Sequence, residues 1–177
     1  MRSVLEETFY PIPREYRALS SWRLQLPVQI DASPDLQAPA QLLRHELQRL
    51  IDSQAVQNRG KTVVRLRVDR SRLRREEEYT LHTADRRIEL SSHDVQGAFW
   101  AAHTLLALLE KGAAQRISAD TWLLPGVAIQ DYPQSTHRAF MIQGAWAGSE
   151  EAFRHHLLAS SLPHSLEGAG GFAGRVI

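Results

Sequence analysis

A chain of 177 residues can bury a full core as one domain, with room for a fragment of a second. A formal net charge of +1, from 21 basic and 20 acidic residues, excludes a general nucleic-acid binder, which carries a strong basic excess. The lack of cysteine excludes a disulfide framework, a thiolate metal site and a thiol nucleophile.

Residues 1–17 form a lead-in punctuated by Pro11 and Pro13. It carries Glu6 and Glu7 and shows no apolar signal-peptide region, and no stretch approaches the ~18 apolar residues of a membrane span. No membrane partner is expected, and a cytoplasmic location is the default. Trp22 to Asp31 alternates as a strand, with Leu24, Leu26, Val28 and Ile30 against Gln25 and Gln29, and Pro27 inside it predicts an edge position. Residues 35–52 place Leu36, Ala40, Leu43, Leu47, Leu50 and Ile51 at helical spacing. Asp35 is the candidate N-cap, and Pro39 falls in the first turn, where proline is tolerated. Lys61 to Asp69 alternates again, Val64, Leu66 and Val68 opposing Arg65 and Arg67.

Glu78–Thr83 and Arg87–Leu90 read as an antiparallel hairpin turning at Ala84-Asp85. A helix follows over 93–111, with Val95, Ala98, Phe99, Ala102, Leu105, Leu106 and Leu109 on one stripe, Ser91 or Ser92 as cap and Gly112 as its end. A last strand covers about Val127–Gln130. The half-polar strands predict an α+β two-layer domain, a mainly antiparallel sheet with both helices on one face. Its core is expected to join Leu43, Leu47, Phe99 and Leu106 to Val64, Leu66, Leu81 and Ile88.

The segment Glu78-Tyr79-Thr80-Leu81, then Ile88-Glu89-Leu90-Ser91, then Gly97-Ala98-Phe99-Trp100-Ala101-Ala102 with Thr104-Leu105, resembles the non-catalytic N-terminal domain (domain 2) of family 20 β-N-acetylhexosaminidases. In that family a D-x-P-x-x-x-x-R-G segment opens a catalytic (β/α)8 barrel. Asp131, Pro133 and Arg138 match it, with Ala139 in place of the glycine. The resemblance spans roughly residues 20–143. Related N-terminal domains occur in α-glucuronidases and O-GlcNAc hydrolases, so it fixes a domain type better than a substrate. It implies a hydrolase of carbohydrate metabolism, with an intramolecular catalytic barrel as partner and an N-acetylated or other oligosaccharide as the intact enzyme's ligand.

The departures from the family are as informative as the matches. Gln143 stands where family members carry an aspartate, and Trp146 where they carry a sugar-gripping arginine. The catalytic Asp-Glu pair of the family would fall beyond residue 177, and its chemistry is the substrate-assisted exception to the two-carboxylate scheme. No catalytic residue is therefore assigned within the chain, and no activity is expected of it alone.

Other constellations carry less. His155, His156 and His164 with Glu150 and Glu151 lack the H-E-x-x-H spacing, and adjacent histidines point to different helix faces; no metal or other cofactor is expected. Arg70, Arg72, Arg74 and Arg75 beside Glu76, Glu77 and Glu78 read as a solvated connection rather than a phosphate patch. Trp100 sits one residue off the apolar stripe and is expected at an edge, Trp122 is open between packing and ligand contact, and Trp146 is the one substrate-binding candidate by position.

The expected organisation is a lead-in over 1–17, an accessory α+β domain over 18–131, the start of a truncated barrel over 132–162 and a Gly-rich tail over 163–177. Within the third segment, 138–143 is expected as a lone strand and 149–161 as its helix. A whole barrel needs about 250 residues, so the chain reads as a truncated or frame-disrupted product of a longer gene. A stand-alone carbohydrate-binding or protein-interaction module is the alternative.

Overall fold

The computed structural model describes residues 9, 12–52, 54–84, 86–110 and 114–135. The chain divides into two units, Met1–Tyr132 and Pro133–Ile177, and the elements below belong to the first. They are β1 (Glu15–Gln25), β2 (Val28–Ala32), a 3-10 turn (Pro34–Leu36), α1 (Gln37–Leu50), β3 (Thr62–Val68), β4 (Tyr79–Ala84), β5 (Arg87–Ser92), α2 (Val95–Glu110), β6 (Gln115–Arg116) and β7 (Thr121–Asp131). The seven strands make one sheet in the order β1-β7-β4-β5-β3-β2, with β6 also on β7.

The expected α+β class holds, and the sheet is mixed. β1–β7, β4–β7, β4–β5 and β6–β7 run antiparallel, whereas β2–β3 and β3–β5 run parallel. The parallel edge follows from α1, which carries the chain back between β2 and β3 as a helical crossover.

The single strand expected over Trp22–Asp31 is instead two strands on opposite edges of the sheet. Proline has no N–H to give a ladder, so pairing breaks at Pro27, whose bond from Leu26 is cis. Across this break Leu26 N–H donates to the Asp120 carbonyl at 2.8 Å and Lys61 N–H to the Pro27 carbonyl at 2.9 Å. Thr62 closes the corner by accepting Gln25 N–H at 3.0 Å and donating to the Gln25 carbonyl at 2.9 Å. The two sheet edges therefore meet at this end. β1 begins well before Trp22, and its register slips between Leu19 and Trp22. Gly126 faces that slip. A Cβ there would run into the Ser20 carbonyl and lie 2.9 Å from Leu19 Cβ, so the two strands approach as only glycine permits.

Alternation decides the two faces. Val64, Leu66, Leu81, Ile88, Leu90, Val127 and Ile129 point inward and are buried, while Arg65, Glu89 and His82 point outward. Helix α1 brings Ala40, Leu43 and Leu47 to the core, and α2 brings Ala98, Ala101, Leu105, Leu106 and Leu108. α2 lies beside α1 and over β4 and β5.

Three expectations are corrected. Trp100 is buried at 5% exposure, and Phe99 is only half-buried. A wide apolar face made the stripe ambiguous by one position. The indole settles inward because its N–H finds a carboxylate, Glu77 Oε2 at 2.6 Å. The cap of α2 is Asp94, whose Oδ1 accepts the Gly97 N–H at 2.8 Å, rather than Ser91 or Ser92, which belong to β5. Asp35 lies inside the 3-10 turn, and neither that turn nor α1 has a side-chain cap.

Candidate functional site

The densest polar constellation sits where β4 begins and β7 ends. The connection 69–78 reaches β4 with Glu77 in the left-handed region, at φ 60°. Its N–H donates to Asp94 Oδ2 at 2.8 Å, so Asp94 caps α2 with one oxygen and holds this turn with the other. Gly97 permits the contact. A Cβ there would stand 2.8 Å from the Glu78 carbonyl and 3.0 Å from Glu77 backbone. Glu78, 6% exposed, accepts Arg74 N–H at 2.8 Å and Arg75 N–H at 3.0 Å on Oε2, and Gln130 Nε2 at 2.8 Å on Oε1. Burial disfavours its charge, but these donors win and hold the carboxyl below its usual range.

At the adjacent end of β7, Asp131 is 8% exposed and less well provided. Its Oδ1 accepts Arg14 N–H at 3.3 Å, and its Oδ2 meets the Tyr79 hydroxyl at 3.4 Å. Burial dominates and raises its carboxyl above the usual range. The Tyr79 hydroxyl also lies 2.7 Å from the Thr104 hydroxyl, which reaches the Trp100 carbonyl at 3.0 Å. Burial, reinforced by the charge of Asp131, pushes the Tyr79 phenol far up, and it remains a donor at all ordinary pH. Tyr132, the next residue, has guanidinium carbons of Arg14 and Arg75 at 4.4 and 3.9 Å from its ring centroid, and its carbonyl accepts Arg14 Nε at 3.1 Å.

This arrangement positions backbone, since Glu78, Asp94 and Asp131 all accept from backbone N–H groups. Each buried carboxylate turns its oxygens to protein donors rather than into a cleft, and no nucleophile stands beside a free base in the network. Among the described residues, no group of three or more His, Asp or Glu could hold a metal, and no helix is long and apolar enough to cross a membrane.

Trp146, the substrate-binding candidate, lies outside the described residues, as do Arg138, Gln143, the strand expected over 138–143, the helix over 149–161, the three C-terminal histidines and Gly112. Trp122 is partly buried against the core. The Arg70–Arg75 run serves as the connection that was expected. Arg72 pairs loosely with Asp69 at 3.8 Å, and the backbone of Arg74 and Arg75 holds Glu78. Sequence reasoning missed Glu77, Glu78 and Asp94 as organisers. The available signal was a buried-type aromatic, Trp100, nearly two helical turns beyond an acidic cap.

The model of glycosyl hydrolase family 20, domain 2, matches residues 8–132. Among solved structures, the chain is similar to a family 20 exo-β-N-acetylglucosaminidase from Vibrio harveyi, in complex with N-acetylglucosamine. The two are 25% identical over 86% of this chain and 24% of that one, with a TM-score of 0.68. A β-N-acetylhexosaminidase from Bacteroides fragilis shares the fold at 20% identity, over 88% of this chain and 31% of that one, TM-score 0.67. A family 20 β-N-acetylhexosaminidase from Streptomyces coelicolor does so at 18%, over 87% and 32%, TM-score 0.61. The chain thus spans a quarter to a third of the length of these enzymes. No curated protein matches it at a significant level.

Proposed function

The chain belongs to glycosyl hydrolase family 20 and carries its domain 2, the accessory domain of such an enzyme, and from that premise we propose that the intact protein is a β-N-acetylhexosaminidase acting on N-acetylated oligosaccharides. In this reading residues 18–131 form the accessory domain and residues 132–162 begin the catalytic barrel. The accessory domain packs beside the catalytic domain and supports it without entering the reaction.

The observation that carries this reading is the match over residues 8–132, which coincides with one complete sheet-and-helix core. The internal use of Glu78 and Asp131 supports it too, since a carboxylate bonded to its own backbone is withdrawn from proton transfer. The match favours this reading over a free-standing module. Leu81→Ala tests it in the intact enzyme. The side chain is fully buried, and its loss costs about 2–5 kcal/mol. The expected outcome is faster inactivation on heating with kcat unchanged before heating. A fall in kcat at a temperature where the enzyme is folded would place the domain in the chemistry.

A further inference from the structure

The face of the sheet opposite the helices carries a row of charges set by register. Asp31, Arg65, Glu89 and His82 stand side by side on β2, β3, β5 and β4, on strands about 4.8 Å apart. Such a row usually closes into neighbouring pairs. Here it closes on one side only. Arg65 turns to Asp31, its Nε donating to Oδ2 at 3.3 Å, and Arg67 grips the same oxygen at 2.6 Å. The Glu89 carboxylate, between Arg65 and His82, receives no ion pair or hydrogen bond from any described side chain.

A shallow depression of about 360 Å³ opens at this gap, and Arg65, Arg67, Asp69, Glu89 and Ser91 line it. That size is at the low end for a small-molecule site. Two guanidiniums face two carboxylates there, so the lining favours neither an anion nor a cation. Arg65 still has N–H donors to spare beyond its bond to Asp31, and Glu89 offers both oxygens. A ligand that bridges them must accept on one side and donate on the other while staying neutral.

A sugar does this in two ways. A vicinal pair of hydroxyls can give to Glu89 and take from Arg65, and an acetamido group can do the same with its N–H and C=O. We propose that the open face of β3 and β5 is a contact site for a neutral glycan chain. The choice of sugar rests on the hexosaminidase reading above. No aromatic ring lines the depression to stack on a pyranose, so affinity is of the order of 1 mM.

Chitotriose titrated into the 177-residue chain, followed by amide NMR, tests the site, with cellotriose as the probe that has hydroxyls but no acetamido group. Saturable shifts at residues 63–67 and 87–91 are expected with chitotriose. Glu89→Ala should weaken binding about tenfold without moving the melting temperature, since Glu89 holds nothing else in place. Equal binding of cellotriose would assign the contact to hydroxyls, and weaker binding would assign it to the acetamido group. No saturable shift with either sugar, or binding unchanged in Glu89→Ala, overturns the proposal. The titration asks nothing about catalysis or heat inactivation, so its failure leaves the accessory-domain reading standing.

Discussion

Two carboxylates, Glu78 in the turn before β4 and Asp131 at the end of β7, lie at the same end of the sheet and are buried to nearly the same degree, 6% and 8% exposed. Their charges meet opposite fates. Glu78 collects three N–H donors at 2.8 to 3.0 Å and its acidity rises. Asp131 has longer contacts, at 3.3 and 3.4 Å, and burial lifts its pKa. Burial alone therefore does not set the behaviour of a carboxylate; the closeness of its donors counts as well. The turn at 74–78 is a fixed part, while the end of β7 carries an unfavourable charge.

The largest effect should come from removing the wall that backs the fixed turn. Trp100→Ala takes away a buried ring and the donor to Glu77, and should cost about 3–5 kcal/mol in chemical unfolding. Phe99→Ala, at a half-buried position, should cost clearly less. Equal losses would mean that the indole adds nothing to the turn. Next comes Glu78→Ala, which strands the N–H groups of Arg74, Arg75 and Gln130. A cost of about 2–4 kcal/mol is expected, and a cost under about 1 would show water replacing the carboxylate.

Asp131→Asn should be the smallest change at neutral pH, within about 1 kcal/mol and toward greater stability, because it keeps an acceptor and discards a buried charge. The pH dependence separates the two residues further. Glu78, with a folded pKa below 4.5, contributes stability that is present above that value and lost as pH falls through the lowered one. Asp131, with a folded pKa above 3.8, acts the other way. Its contribution is full below 3.8 and declines as pH rises through the raised value. Melting curves from pH 3 to 7 should thus flatten on the acid side in Glu78→Gln and rise on the neutral side in Asp131→Asn.

The elements that periodicity governs were legible in the sequence: β3, β4, β5 and α2 follow runs in which one face is mainly apolar, each with one buried serine or threonine, Thr62, Thr83, Ser92 and Thr104. β1 was half legible, because Ser20 and Ser21 sit at a register slip where alternation fails. The parallel edge was hidden, since Pro27 looked like a residue within a strand rather than the step between two edges. The polar network was illegible for another reason. Glu77 and Glu78 read as members of a charge run, and it takes the tertiary approach of Gly97, Asp94 and Gln130 to fix them in place.

In the reading proposed above, this chain supports a reaction that it does not itself perform. The direct measurement is release of chromophore from a chromogenic N-acetylglucosaminide by the purified, folded chain. Release equal to that of a heat-killed control is the predicted result. Hydrolysis above that control, abolished in Asp131→Asn or Glu78→Gln, would place a working acid in the network and contradict the claim.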